Sequence, residues 1–146
     1  MRARLIILAA VLPLTACAAF HAERSWSDDL GKGDAAQIAG TVAALLVERV
    51  PSTDGKLIAI APATGTTGKE VEVLLGREVE QHGYKLAKTE VKPAEAHHLR
   101  YLITKYGSGY ALRVTLDGVE ATTAFSRMSG GQLVASAPLS IREAAR

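Results

Sequence analysis

Apolar residues recur at helical spacing in two stretches of the chain. Residues 35–50 carry aliphatic side chains on one stripe, and residues 68–82 repeat the pattern. The first helix is expected to follow Asp34 as its N-cap and to end before Pro51, and the second to end at Gly83. The two predicted stripes consist of Ile38, Val42, Leu45 and Leu46 in the first helix, and of Val71, Leu74, Leu75 and Val79 in the second.

Strand-like runs surround the second helix and fill the rest of the chain. Residues 57–63 and 84–88 flank that helix, which predicts a strand-helix-strand unit. Asp117-Gly118 separates two alternating runs and is a strong hairpin signal. The remaining predicted strands cover residues 98–106, 110–116, 119–128 and 133–141. The predicted fold class is therefore α+β: an N-terminal helix, then strand-helix-strand, then an antiparallel β-meander, with about five or six strands and two helices in all.

The first sixteen residues have the anatomy of an export signal. Two arginines precede the apolar run at residues 5–12, which is too short to span a bilayer. The sequence Leu14-Thr15-Ala16-Cys17 resembles the lipobox of bacterial lipoproteins, in which the cysteine is acylated and becomes the mature N-terminus. Cys17 is the only cysteine, so an internal disulfide is excluded. The alternative is an ordinary signal peptide cut after Ala19, which gives Cys17 no role.

This signal divides the chain into three parts. Residues 1–16 are predicted to be a lipoprotein signal peptide, residues 17–34 a polar, lipid-anchored tether, and residues 35–146 a single α+β periplasmic domain. Within the tether, Trp26 has two interpretations: it docks at the lipid headgroups or packs on the following helix, and we favour packing.

Charge and composition restrict the class of partner. Of 17 basic and 15 acidic residues, Arg2 and Arg4 leave with the signal, so the mature chain is balanced at 15 of each sign. This balance argues against direct nucleic-acid binding. The expected attachments are to a membrane through lipidated Cys17 and to other envelope proteins. Ala18, rather than Asp, follows Cys17, which resembles lipoproteins sorted to the outer membrane, with the domain on its periplasmic face.

No residue pattern predicts catalysis. The stretch around Gly65 and Gly68-Lys69 has Glu70 where a phosphate loop needs Ser or Thr, and an N-cap at Thr66 or Thr67 explains the same residues. His97 and His98, with nearby Glu95, face opposite sides of an extended chain and cannot chelate one metal. We therefore expect no enzyme activity, no metal and no cofactor.

The last predicted strand is the candidate partner-binding edge. Leu133, Val134 and Ala135 belong to a run without charged residues, which is poor protection for an edge strand, although Pro138 blocks part of it. Strand addition by a neighbouring subunit, including a second copy in a homo-oligomer, would supply the missing hydrogen bonds. Alternatively, the N-terminal helix or the tail at residues 142–146 covers this edge.

The chain resembles the TrbH family, small lipoproteins of conjugative mating-pair-formation systems. The resemblance rests on the lipobox at Cys17, on the strand-helix-strand unit ending His82-Gly83-Tyr84, and on the runs at residues 101–104 and 112–118. It implies a structural, non-catalytic component of the type IV secretion apparatus that moves plasmid DNA between bacteria. The alternative is a periplasmic lipoprotein that regulates or stabilises another envelope complex, such as a cell-wall synthase or a secretin.

Overall fold

The computed structural model describes residues 24–87 and 93–143. In these two ranges the elements occur in the order β1 (Trp26–Ser27), α1 (Asp34–Arg49), β2 (Leu57–Ile60), α2 (Gly65–Gln81), β3 (Lys85–Leu86), β4 (Ala96–Tyr106), β5 (Gly109–Leu116), β6 (Val119–Arg127), β7 (Leu133–Ala135) and β8 (Ser140–Glu143). Short 3-10 turns at Ser52–Asp54 and Pro93–Glu95 precede β2 and β4. No helix within the described ranges is both long enough and apolar enough to cross a bilayer.

One mixed sheet of eight strands organises the described residues. Its main order is β3-β2-β4-β5-β6-β7, with β2 parallel to β3 and β4 and with antiparallel pairing from β4 onward. β1 pairs in parallel with β4, and β8 pairs with β6. The α+β class and its strand-helix-strand unit followed by a meander are confirmed, with short strands in addition to those predicted.

Both helices pack on the same face of this sheet. Alternate residues of β4, namely Leu99, Tyr101 and Ile103, are almost fully buried and belong to the same apolar cluster as Val42 of α1 and Leu75 of α2. Because successive side chains of a strand point to opposite faces, the intervening residues of β4 lie on a second face, on which neither helix of the described residues packs. We call this second surface the helix-free face.

The hairpin at Asp117-Gly118 and the end of α2 at Gly83 are as predicted, and Gly76 marks a close contact between α2 and β3. Asp117 and Gly118 both have positive φ, 50° and 82°, as a two-residue hairpin between β5 and β6 requires. Gly76 faces β3 at short range, since a Cβ placed there would lie 3.2 Å from Leu86 Cδ1. Gly83, with φ 86°, follows the end of α2, as expected for a helix C-terminus.

The segment predicted as the end of a tether belongs instead to the domain from residue 24 onward. Trp26 and Ser27 form β1, and Ser25 is fully buried, where its Oγ accepts a hydrogen bond from the Tyr101 N–H at 3.3 Å. The expected packing of Trp26 on the following helix is wrong. Its register partner is Leu102, on the helix-free face, and its side chain is 48% exposed.

Helix starts differ from the sequence prediction. Asp34 is the first residue of α1 rather than its cap, and Gly33 occupies the cap position with φ 86°. The Asp34 carboxylate instead accepts the N–H of Gly31, three residues earlier, at 3.1 Å. Helix α2 begins at Gly65, before the predicted caps, and the carboxylate of Glu72 accepts the N–H of Ala63 at 2.9 Å.

The predicted strand at residues 133–141 is two strands. β7 and β8 occupy successive parts of the same edge of β6, and residues 136–139, including Pro138, connect them. Proline has no N–H to donate to a ladder, which accounts for the interruption.

Candidate partner-binding edge

The outer edge of the sheet at β7 contains the three residues predicted from the sequence. Val134 pairs with Ser126 of β6. Two residues further along, Ser136 N–H donates to the Ala124 carbonyl at 2.8 Å. Two residues before Val134, the Gln132 carbonyl accepts the N–H of Met128, also at 2.8 Å. Hydrogen-bonded pairs alternate along an antiparallel ladder. The N–H and C=O of Val134 therefore point at β6, whereas those of Leu133 and Ala135 point away from the sheet.

The three residues differ in how accessible they are. Leu133 is 1% exposed and lies in the core, and its outward carbonyl accepts a hydrogen bond from the Gln37 side chain of α1. Val134 is partly buried on the helix-free face, and Ala135 is exposed. Helix α1 thus contacts the beginning of this edge through Gln37, and Ala135 is the exposed residue of β7.

The C-terminal tail continues the edge without covering β7. Ala121 of β6 pairs with Ile141, and Val119 pairs with Glu143, so β8 lies in line with β7. All four residues of β8 are exposed. Arg142 donates to Glu120 from Nε at 2.9 Å and from Nη2 at 2.6 Å, which holds the strand from the helix-free face. The described part of the tail, up to Glu143, therefore does not cover Leu133–Ala135 as the alternative prediction required.

An ion pair fixes the start of α1 to the end of β6, next to this edge. Both guanidinium Nη atoms of Arg127 donate to the Asp34 carboxylate, and Nη1 also donates to the Gly131 carbonyl at 2.8 Å. The side chain of Asp34 is 6% exposed and that of Arg127 33%. Burial favours the neutral carboxyl, but the hydrogen bonds and charge of Arg127 outweigh it, so the pKa of Asp34 is lowered.

A second charged cluster lies beside the β5–β6 hairpin. Nδ1 of His97 contacts the Asp117 carboxylate at 2.5 Å, and Nε2 contacts the carboxylate of Asp54. Partial burial opposes the imidazolium charge, but the two carboxylates outweigh it and raise the pKa of His97. Asp117 also accepts the N–H of His98 at 2.8 Å. His97 therefore ties three segments together, and both its ring nitrogens are engaged.

His97 also reaches a cavity of about 220 Å³ between the end of α1 and the sheet. Most of its wall is aliphatic, Ile141 of β8 contributes to it, and Arg49 and Asp117 lie among the lining residues. The described residues contain no group of three or more potential metal-ligating side chains.

The lack of charged residues in Leu133–Ala135 is visible in the sequence, but the contacts around this edge join residues that are far apart along the chain. The carboxylate partners of His97 lie 43 and 20 residues away along the chain, and Arg127 lies 93 residues from Asp34. No motif spacing links such pairs. The lipobox residues Leu14, Thr15, Ala16 and Cys17 lie outside the described residues, so their predicted role stays a prediction.

Comparison with known proteins identifies a family for this chain. The family model described as conjugal transfer protein TrbH matches residues 20–144. No curated protein and no solved structure matches the chain. The family match spans both helices and the whole sheet.

Proposed function

The chain belongs to the TrbH family of conjugal transfer proteins, and we propose that it is a non-catalytic lipoprotein that serves as a structural component of the mating-pair-formation apparatus. The family match over residues 20–144 carries this proposal, because it makes the chain a conjugal transfer component. The finer parts of the proposal are the lipid anchor, the outer-membrane location and the docking edge.

The proposed anchor is acylated Cys17. Its support is the lipobox Leu14-Thr15-Ala16-Cys17 behind a basic and apolar export signal, together with a family match that begins three residues after the cysteine. One acyl chain holds a protein only marginally, whereas several hold it firmly, so a multiply acylated cysteine suits a permanent envelope component. Ala18 at the second mature position supports the outer membrane as its destination.

Labelling with radioactive palmitate tests the anchor. Wild-type chain should incorporate label and gain the mass of a lipidated mature form, and Cys17→Ser should do neither. A mature wild-type protein with a free thiol at Cys17 would show that the anchor is wrong.

The proposed docking surface is the outer edge of β7, centred on Ala135, which is exposed. A neighbouring subunit of the apparatus, or a second copy of this chain, would add an extended strand there. Support comes from the outward N–H and C=O of Ala135 and from the absence of charged side chains in Leu133–Ala135.

The proposed structural role requires no catalytic group. The two ring nitrogens of His97 are both engaged by carboxylates, which suits a role in holding segments of the fold together.

Two proline variants separate docking from folding. Ala135→Pro removes an N–H that points outward, so the fold should survive while complex formation and plasmid transfer fall. Val134→Pro removes an N–H that points at β6 and should destabilise the domain itself. If Ala135→Pro folds and both complex formation and transfer are unchanged, this edge is not the docking surface.

The alternative function, regulation of another envelope complex such as a cell-wall synthase or a secretin, predicts a different genetic setting. A transfer protein should be encoded among genes for a conjugation ATPase and pilus components. Cell-wall genes as neighbours, with plasmid transfer unchanged on deletion, would favour the regulatory role.

A further inference from the structure

The helix-free face of the sheet presents an aromatic side chain in line with a basic one. Trp26 pairs with Leu102, Leu102 with Arg113, and Arg113 with Thr122, so these residues form one row across four strands. Trp26 is 48% exposed, and its Nε1–H donates to Asp28 at 3.4 Å. The indole therefore presents its ring outward while its polar atom has a partner.

The neighbouring row adds positive charge. Arg100 pairs with Thr115, Thr115 with Glu120, and Glu120 with Arg142. Glu120 lies 3.7 Å from Arg113 and 2.6 Å from Arg142, so one carboxylate faces two of the three guanidinium groups in these rows. The side chains of Arg113 and Arg142 are 50% and 71% exposed. The two rows therefore carry net positive charge beside an exposed aromatic ring.

The short segment between Cys17 and β1 limits how far the helix-free face can lie from the membrane. Only residues 18–23 separate Cys17 from the first described residue, Arg24. An extended chain spans at most about 3.6 Å per residue, so Arg24 lies within about 25 Å of Cys17. Trp26 follows two residues later and is fixed in the sheet by its pairing with β4. A domain held on so short a segment stays at the surface of the membrane that holds Cys17.

We propose that the helix-free face lies against the headgroups of an anionic phospholipid membrane, with Trp26 inserted at the interface and with Arg113 and Arg142 near lipid phosphates. This inference rests on the proposed lipid anchor at Cys17. Tryptophan favours the headgroup level, where its ring is desolvated and its N–H stays hydrated. Attraction between arginine and anionic lipid acts over about 10 Å in salt, so it requires the closeness that the anchor provides.

Trp26 is itself the reporter, because the chain contains one tryptophan. The mature chain, with its signal processed by the cell, would be reconstituted in vesicles of phosphatidylethanolamine and phosphatidylglycerol, with and without brominated acyl chains. Trp26 emission should shift to shorter wavelength in vesicles and lose intensity to the brominated lipid. Arg113→Gln with Arg142→Gln should reduce both effects, and high salt should do the same.

A matched control moves the reporter to the opposite side of the domain. Val73 on α2 is 55% exposed, so Trp26→Phe with Val73→Trp keeps one exposed tryptophan but places it on the helical side. Its emission should match that of an indole in water and should resist brominated lipid. Quenching at position 73 without quenching at position 26 would overturn the proposed orientation.

Flotation of the same vesicles separates failure of this inference from failure of the anchor. If wild-type chain does not float with the vesicles, the anchor is wrong and the inference falls with it. If it floats but Trp26 emission stays that of water, the anchor stands and the orientation is overturned. A shift seen in whole envelopes but not in vesicles would also overturn it, because the face would then be covered by a protein.

Discussion

Removal of Arg127 should destabilise the domain more than removal of its partner Asp34. Arg127→Ala leaves a carboxylate that is 6% exposed without its counter-charge, which costs about 3 kcal/mol in the free energy of unfolding. Asp34→Ala leaves a guanidinium that is 33% exposed and still bonded to the Gly131 carbonyl. The Gly31 N–H also keeps the hydroxyl of Tyr110 at 2.9 Å, so the expected cost is about 1.5 kcal/mol.

Urea denaturation at neutral pH, followed by far-ultraviolet circular dichroism, measures both costs. The double variant Asp34→Ala with Arg127→Ala should lose less than the sum of the single losses, because neither charge is then left alone. Because the folded pKa of Asp34 is lowered, its contribution is present above the unfolded pKa and is lost as pH falls through the folded pKa. Equal losses for the two single variants, or a larger loss for Asp34→Ala, would refute this reasoning.

Three further predictions concern single positions. The pKa of His97 is raised in the folded state, so its stabilising contribution is full below the unfolded pKa of about 6.5 and is lost as pH rises through the folded pKa. The urea midpoint of the wild type should therefore fall as pH rises through this range, and the midpoint of His97→Gln should change less with pH. Gly109→Ala would place a Cβ 1.9 Å from the Phe125 carbonyl oxygen and should lower the free energy of unfolding by about 3 kcal/mol or more. The control Gly130→Ala, whose Cβ would have nothing within 4 Å, should leave the thermal midpoint nearly unchanged. Equal thermal midpoints for the two variants would contradict the close approach of β5 and β6. Leu133 is 1% exposed, so Leu133→Ala should lower the free energy of unfolding, measured by urea denaturation, by about 2–4 kcal/mol. A smaller loss than that of Val134→Ala would show that β7 does not contribute to the core.

What the sequence predicted correctly was encoded locally. The Asp117-Gly118 hairpin and the stripe from Val71 to Val79 each depend on residues within one turn or one helix. Residues 24–33 show no periodicity, and the place of Trp26–Ser27 in the sheet comes from pairing with β4, about 76 residues later. No local pattern predicts such a contact.

The candidate site also combines features that are readable in the local sequence with contacts that depend on the whole fold. The weakly protected edge at Leu133–Ala135 follows from the lack of charged residues, which is readable in the sequence. The Gln37 side chain that caps the Leu133 carbonyl lies 96 residues away, and only the packing of α1 on the sheet brings the two together. The helix-free face likewise depends on strand register, because a shift by one residue would move Trp26 and Arg113 to the core side.

Plasmid transfer by donor cells that carry Cys17→Ser tests the central claim most directly. Deletion of the gene should abolish or strongly reduce transfer, and wild-type chain supplied in trans should restore it. Cys17→Ser chain, exported and present at the wild-type level, should fail to restore transfer, while Ala18→Ser serves as the matched control and should restore it. Transfer that is unaffected by deletion, or that Cys17→Ser restores fully, would contradict a lipid-anchored component of the transfer apparatus.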